Sequence, residues 1–296
     1  MSVSSATAAE LLALGVFAGW LGAVVGIGGG VIIVPALFLG FGFDIRACVA
    51  ASLVAVVATS TAAGSAYVGE GLANMRLGMT LEIATTIGGI AGGLLATVAP
   101  TAVLSGLFAV MMLVTASAVL RGRTEDGAAG APEEAEPLGD RAGDAEGFEV
   151  PGELAGAYVD QHRGVLVHYR VRRLEVGSAV SLVAGAVSGL LGVGGGFLKV
   201  PAMNLGMGVP IRVAAATSNF MIGVTAIASL FVYFARGDVH PLIAAPVALG
   251  IVAGATMGAR QSARVGTRML ARILGAVLIF VALQMALKAA GVNLGR

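Results

Sequence analysis

Two stretches decide the fold: Gly26-Ile27-Gly28-Gly29-Gly30-Val31-Ile32-Ile33-Val34-Pro35 and, 166 residues later, Gly192-Val193-Gly194-Gly195-Gly196-Phe197-Leu198-Lys199-Val200-Pro201. Each interrupts an apolar run, about 10–42 and about 176–209, that is too long for one crossing of roughly 30 Å of hydrocarbon. A glycine-rich break followed by proline reads as two half-helices that meet at a non-helical turn.

The offset extends outward from these stretches. It superposes Gly28, Gly29 and Gly30 on Gly194, Gly195 and Gly196, and Pro35 on Pro201. It also places Gly40 and Gly42 on Gly206 and Gly208, Arg46 on Arg212, Ser52 on Ser218 and Thr59 on Thr225. Without a gap it continues to Gly71 on Gly237 and to Gly88 and Gly92 on Gly254 and Gly258. One shift that aligns Pro, Arg, Ser and Thr as well as Gly reads as a tandem duplication.

Composition sets the environment. Of 296 residues 57% are hydrophobic and 12% charged, with a mean hydropathy of +0.92, where a soluble domain carries about a quarter charged residues. The reading is an all-α polytopic membrane protein. Forty-five glycines beside one Trp and four Tyr fit close-packed helices and not an outer-membrane barrel with aromatic girdles. The single Cys48 excludes a disulfide framework and a thiolate zinc site. His162 and His168 fall in a hydrophilic insert and His240 precedes Pro241, so no metal pair forms and no metal or cofactor is expected. No catalytic motif is present: Gly26-x-Gly28 lacks a third glycine in register, at Val31, and Ser188-Gly189 lacks the nucleophile-elbow spacing. Nothing points to nucleic acid. No Lys or Arg precedes the first apolar run, which reads as the first mature helix and not a signal peptide.

Ordinary spans are expected at about 45–68, 77–98, 101–120, 211–234, 242–262 and 269–290. The chain divides into a transmembrane repeat 1–120, a hydrophilic acidic linker 121–174 and a second repeat 175–296. Twelve of the seventeen acids lie between Glu125 and Glu175. Residues 124–149 read as a disordered linker. Residues 156–174 alternate around Asp160-Gln161-His162-Arg163-Gly164 and read as a small exposed hairpin.

Arginine placement chooses the topology. If each broken run crosses an even number of times, the linker flanks (Arg121, Arg123, Arg170, Arg172, Arg173) and the loop with Arg260, Arg264 and Arg268 share one face, the cytoplasmic one. Each repeat then has five segments, the repeats are inverted and both termini lie outside.

Unwound backbone at membrane depth is tolerated where it is buried or lines a cavity, and half-helix N-termini attract anions. Gly28, Gly29, Gly30, Gly194, Gly195 and Gly196 are therefore substrate-site candidates, close helix packing being the alternative. Ser52, Thr217, Ser218 and Asn219 place hydroxyls and an amide inside lipid-buried helices, where they bond back to the backbone or hold a ligand. Lys199 and Glu82 are the ionisable residues farthest inside apolar runs. Lys199 reads as an anion attractor, as a snorkelling lysine or as a structural partner of Glu82; Glu82 reads as a solvated interfacial carboxylate or a proton-coupling site.

With Gly-x-Gly-Gly-Gly and Val-Pro duplicated (Val34-Pro35, Val200-Pro201), Ala50 to Ser52 and Ala216 to Ser218 following, and an acidic insert between halves, the chain resembles the TauE/SafE-type sulfite exporter family, the 4-toluene sulfonate uptake permease group. The resemblance covers the chain outside 124–155. It implies a secondary transporter of the bacterial inner membrane that moves sulfite, a sulfonate, sulfoacetate or another small sulfur anion by alternating access, in the export direction and coupled to protons. Its partners are that anion and the bilayer, with a homodimer compatible. It carries over the glycine turns, Pro35, Pro201, Ser52, Thr217 and Ser218, while Leu53 departs from Asn219. The competing class is a membrane receptor or scaffold whose insert 121–173 docks a partner.

Overall fold

The structure is a computed structural model that describes residues 4–25, 29–69, 72–120, 134–137, 154–160, 165–261 and 267–291. The first long apolar run divides into α1 (Ser5–Val25) and α2 (Gly30–Pro35), which continues as a π-helical turn over Ala36–Gly40. Pro35 lacks an N–H and crowds the carbonyl one turn back, so the ladder is displaced just beyond it. Helices α3 (Ile45–Gly69), α4 (Met75–Val98) and α5 (Thr101–Leu120) complete the repeat. The second run divides likewise into α6 (Leu174–Leu191) and α7 (Gly196–Pro201), extended as a π turn over Ala202–Gly206. Helices α8 (Ile211–Ala235), α9 (Pro241–Gln261) and α10 (Thr267–Ala289) follow. The starts of α2, α3, α4 and α5 stand 166 residues before those of α7, α8, α9 and α10.

Six of these helices, α1, α4, α5, α6, α8 and α9, are long and apolar enough to cross a membrane among the described residues. Their outward faces carry large apolar side chains such as Ile83, Val98, Phe231 and Leu249. A surface of this kind suits lipid and would be costly in water. The fold is an all-α polytopic membrane protein.

The packing has an exchange symmetry. Helix α1 packs on α9 of the other repeat and α6 on α4, while α3 packs on α8 and α5 on α10, each helix meeting its own equivalent. The first two seams run parallel: Gly15 faces Val247 while Gly258 faces Trp20, and Gly185 faces Thr85 while Gly189 faces Gly89. The last two run antiparallel. Ser60 meets Asn219 and Gly223 while Arg46 acts on Asp238, and Gly106 meets Ala289 while Gly275 meets Leu120. Small residues make the parallel seams, because a Cβ at Gly88, Gly92, Gly185, Gly250 or Gly254 would overlap the neighbouring backbone.

Two polar caps fix helix ends. Asn74 Oδ1 accepts the Leu77 N–H at 2.9 Å at the start of α4, and Arg46 donates to the Ala96 and Ala99 carbonyls, each at 3.1 Å, at its end. The linker contributes a three-stranded antiparallel sheet ordered β1-β3-β2, with β1 Glu134–Pro137, β2 Ala155–Asp160 and β3 Val165–Arg170. Strands β2 and β3 form the alternating pair and the turn residues 161–164 lie outside the described residues. Strand β1 comes from inside the stretch whose composition reads as linker, and it completes the second edge of β3.

Candidate functional site

The two glycine turns meet in the interior. Ser52, on α3, is fully buried, and its Oγ donates to the Gly192 carbonyl at 2.8 Å, with the Gly30 carbonyl at 3.4 Å. A Cβ at Gly30 would lie 3.2 Å from the Gly192 oxygen and 3.1 Å from Ser52 Oγ, a tight fit that a larger residue would press on. They differ in conformation. Gly29 has φ −72°, ordinary helical backbone, whereas Gly195 has φ +68°, which glycine adopts without strain. Gly28 lies outside the described residues.

Ser218 is the equivalent of Ser52 and faces Gly196, but it makes no such bond. Its hydroxyl, and that of Ser188 on α6 beside Gly195, are buried without a hydrogen-bond partner in the protein. Other buried helical hydroxyls behave differently: Thr85, Thr115, Thr225 and Ser229 each reach the carbonyl four residues back. Two orphaned donors on either side of one turn leave capacity for a ligand's acceptor oxygens.

Lys199 lies one turn beyond Gly195 and is 1% exposed. Its Nζ donates to Thr225 Oγ1 at 3.1 Å, and that hydroxyl donates to Glu82 Oε1 at 2.7 Å. Lys199 Nζ is 4.0 Å from Glu82 Oε2. Thr85 and Thr86, three and four residues after Glu82 on the same face of α4, donate to its two oxygens at 2.9 and 3.2 Å. The side chain of Glu82 is therefore buried, at 7% exposure, and not solvated as its nearness to the helix start suggests. Either charge left alone at this depth would cost several kcal/mol, which is why the two stand together. The threonines were not singled out from the sequence, although the i, i+3 and i+4 spacing from Glu82 was there to read.

The remaining candidates, Thr217 and Asn219, lie on α8. Thr217 Oγ1 accepts the Asn74 N–H at 2.9 Å, and the Asn219 carbonyl accepts from Ser60 Oγ. Asn74 Nδ2 donates to the Tyr169 hydroxyl of β3 at 3.0 Å. Burial pushes the Tyr169 hydroxyl up to about 12, so it stays protonated. Tyr158 and Val167 of the sheet are buried against Leu77, Leu81, Met203, Met207 and Val213, and Arg172 N–H bonds the Met207 carbonyl at 2.9 Å. The sheet thus closes the linker end of α4, α7 and α8, the three helices that carry Glu82, Lys199 and Thr225.

This arrangement of broken helices and buried charge can be set beside known proteins. No solved structure matches the chain. The probable membrane transporter protein YunE of Bacillus subtilis (strain 168) is 26% identical over 257 residues, covering 81% of this chain and 83% of its own length. The family described as sulfite exporter TauE/SafE matches residues 11–285, nearly the whole sequence. The chain belongs to the TauE/SafE sulfite exporter family, and it is a multi-pass membrane protein of that transporter group.

Proposed function

We propose that the protein is a secondary transporter that exports a small sulfur-containing oxyanion, such as sulfite, a sulfonate or sulfoacetate, across the inner membrane, coupled to protons through Glu82. The observation that carries this reading is the buried Lys199–Thr225–Glu82 cluster, three residues past the second glycine turn and next to the point where Ser52 ties the turns together. Ionisable residues inside membrane helices are costly and mark substrate and proton paths. Lys199 supplies the charge an anion needs. The orphaned hydroxyls of Ser188 and Ser218 supply neutral donors beside Gly194, Gly195 and Gly196. Asn219 and Thr217 lie on the same helix, α8, as Ser218 and Thr225.

The transport cycle in this reading is alternating access between two inverted five-segment repeats. The antiparallel seams between the equivalent helices α3 and α8, and α5 and α10, support inversion, because parallel repeats would run those pairs in the same sense. The parallel α1–α9 and α4–α6 seams agree with the same crossing count. Repeats related by such a two-fold can exchange conformations and so open a central site to either side.

Counterflow in proteoliposomes tests the transport reading. Labelled sulfite, sulfoacetate and methanesulfonate should exchange faster than acetate or propionate, and Lys199→Met should remove the preference. Folded protein that exchanges no anion would overturn it and favour a receptor. Cysteine accessibility in a Cys48→Ser background should find the 121–173 insert and the Arg260–Arg268 loop on one face. Opposite faces would overturn inversion.

A further inference from the structure

Among the described residues, Lys199 and Glu82 are the only buried charged side chains. Together they are neutral. A monoanion added to this site would leave one uncompensated negative charge in a low-dielectric interior, a cost beyond what a few contacts to a small ion return. Charge balance can be restored by one added proton, and the carboxylate that could take it is Glu82.

We infer that the anion binds in exchange for the Glu82 charge: it takes Lys199 over from Glu82, Glu82 accepts one proton, and proton and anion cross together in the same direction, so that export runs down the anion's own concentration gradient and is not driven by inward proton flow. This rests on the transport reading above. The step forms one O–H bond at Glu82 and breaks none in the substrate. A monoanion is thus carried without net charge, and a dianion carries one negative charge.

The geometry suits such an exchange. Lys199 stands three residues past Gly196, about 4.5 Å along the helix axis, and its N–H bonds the Gly195 carbonyl at 3.3 Å. Thr225, where its ammonium now rests, shares one stripe of α8 with Ile222 and Ser218, and Ile222 borders both Gly194 and Gly196. The lysine stem and the turn thus lie along one side of α8, and the exchange moves the ammonium along that stripe. The groups around Glu82 are hydroxyls, from Thr85, Thr86 and Thr225. A hydroxyl donates to a carboxylate and accepts from a carboxylic acid, so both states of Glu82 are satisfied by the same side chains.

No other titratable group competes along the neighbouring helices. On α4 the other ionisable residue is Arg76 at its start; α6, packed against it, has Glu175 in its first turn; α8 has Arg212 at its start and Tyr233 at its end. The sheet brings Tyr158 and Tyr169 over Leu77. At the positions that the 166-residue offset makes equivalent to Lys199 and Glu82 stand Ile33 and Ala248, so one proton moves per cycle and not two.

Calorimetry in detergent tests this with methanesulfonate and sulfoacetate, neither of which titrates near neutral pH. Titrations of the wild type in two buffers of different ionisation heat should report about one proton taken up per anion. Affinity should weaken by about tenfold per unit rise in pH above neutrality, the slope that linkage to one proton requires. Glu82→Gln should take up no proton, show flat pH dependence and bind at least as tightly as the wild type. Binding without proton uptake in the wild type, which needs no variant to fold, would overturn the inference while leaving transport intact, as would weaker binding by Glu82→Gln. Wild type that neither binds nor exchanges any sulfonate would instead remove the transport reading itself.

Discussion

The two glycine turns occupy equivalent places in equivalent repeats, yet their surroundings differ in kind. Around the second, Lys199, Thr225 and Glu82 form a continuous polar chain, and Ser188 and Ser218 present free hydroxyls. Around the first, the matching positions are Ile33, Thr59, Ala248, Gly22 and Ser52. Thr59 bonds the Ala55 and Val56 carbonyls of its own helix, whereas Thr225, which also bonds the Met221 carbonyl, adds Lys199 and Glu82. Ser52 spends its proton on the Gly192 carbonyl. The seams, by contrast, are alike in both halves: Gly88 and Gly92 serve α4–α6 as Gly254 and Gly258 serve α1–α9. The helix seams are thus alike in the two halves, while the buried charge pair is found beside one turn and not at the equivalent positions beside the other.

The strongest way to break this comparison is to attack the shared scaffold. Gly88→Leu and Gly254→Leu each drive a side chain into backbone across a parallel seam, and backbone cannot move aside as a side chain can. Both variants should lose most monodisperse protein on size-exclusion chromatography, a penalty above the roughly 1–3 kcal/mol of ordinary overpacking. Survival of one and loss of the other would mean the two seams are not equivalent.

The next effect belongs to the surroundings of the second turn alone. Glu82→Ala leaves Lys199 buried and unpaired and should destabilise by about 3–5 kcal/mol, whereas the exchange-related Ala248→Met should change little. Glu82→Met with Lys199→Met should recover most of the loss in thermal unfolding, since it removes both charges. Failure of the double variant to recover would show that the threonines around Glu82, and not charge pairing, hold this region together.

The smallest effect separates the two turns themselves. Gly195→Ala puts a Cβ on left-handed backbone, costing about 1–2 kcal/mol, and sets it 2.7 Å from the Ala184 carbonyl. Gly29→Ala keeps helical backbone and mainly presses on the end of the Ile251 side chain, which can turn away. Unfolding in detergent should therefore rank Gly195→Ala below Gly29→Ala. Equal stability would mean that the two turns share one conformation.

Much of the fold is legible in the residues because membrane spans are written in length and hydropathy. The starts of α3, α4, α5, α8, α9 and α10 fall within a few residues of the expected spans, and the second long run breaks at Gly192–Gly195, while in the first run residues 26–28 lie outside the described residues. Strand β1 is not legible, since Glu134–Pro137 has no alternation and gains its order only by pairing with β3. The site is legible in its parts. Ser188 is read from the sequence only as part of a rejected nucleophile motif and not as a substrate-site candidate, because a lone serine in a Gly/Ala-rich helix carries no local mark of a ligand, and its orphaned hydroxyl becomes visible only when the neighbouring helices surround it.

The sequence by itself determined that this is a helical membrane protein, that it is duplicated at an offset of 166 residues, and that each half contains a helix broken at glycine and proline. These are properties of composition and period, which the chain carries without reference to its neighbours. Only the tertiary structure decided that Lys199 meets Glu82 through Thr225, that Ser52 joins one repeat's turn to the other's, and that the linker sheet closes over the same helices. Each of these joins residues tens to more than a hundred positions apart. The sequence lists the charges, but which of them must share one low-dielectric space is settled by how the helices pack.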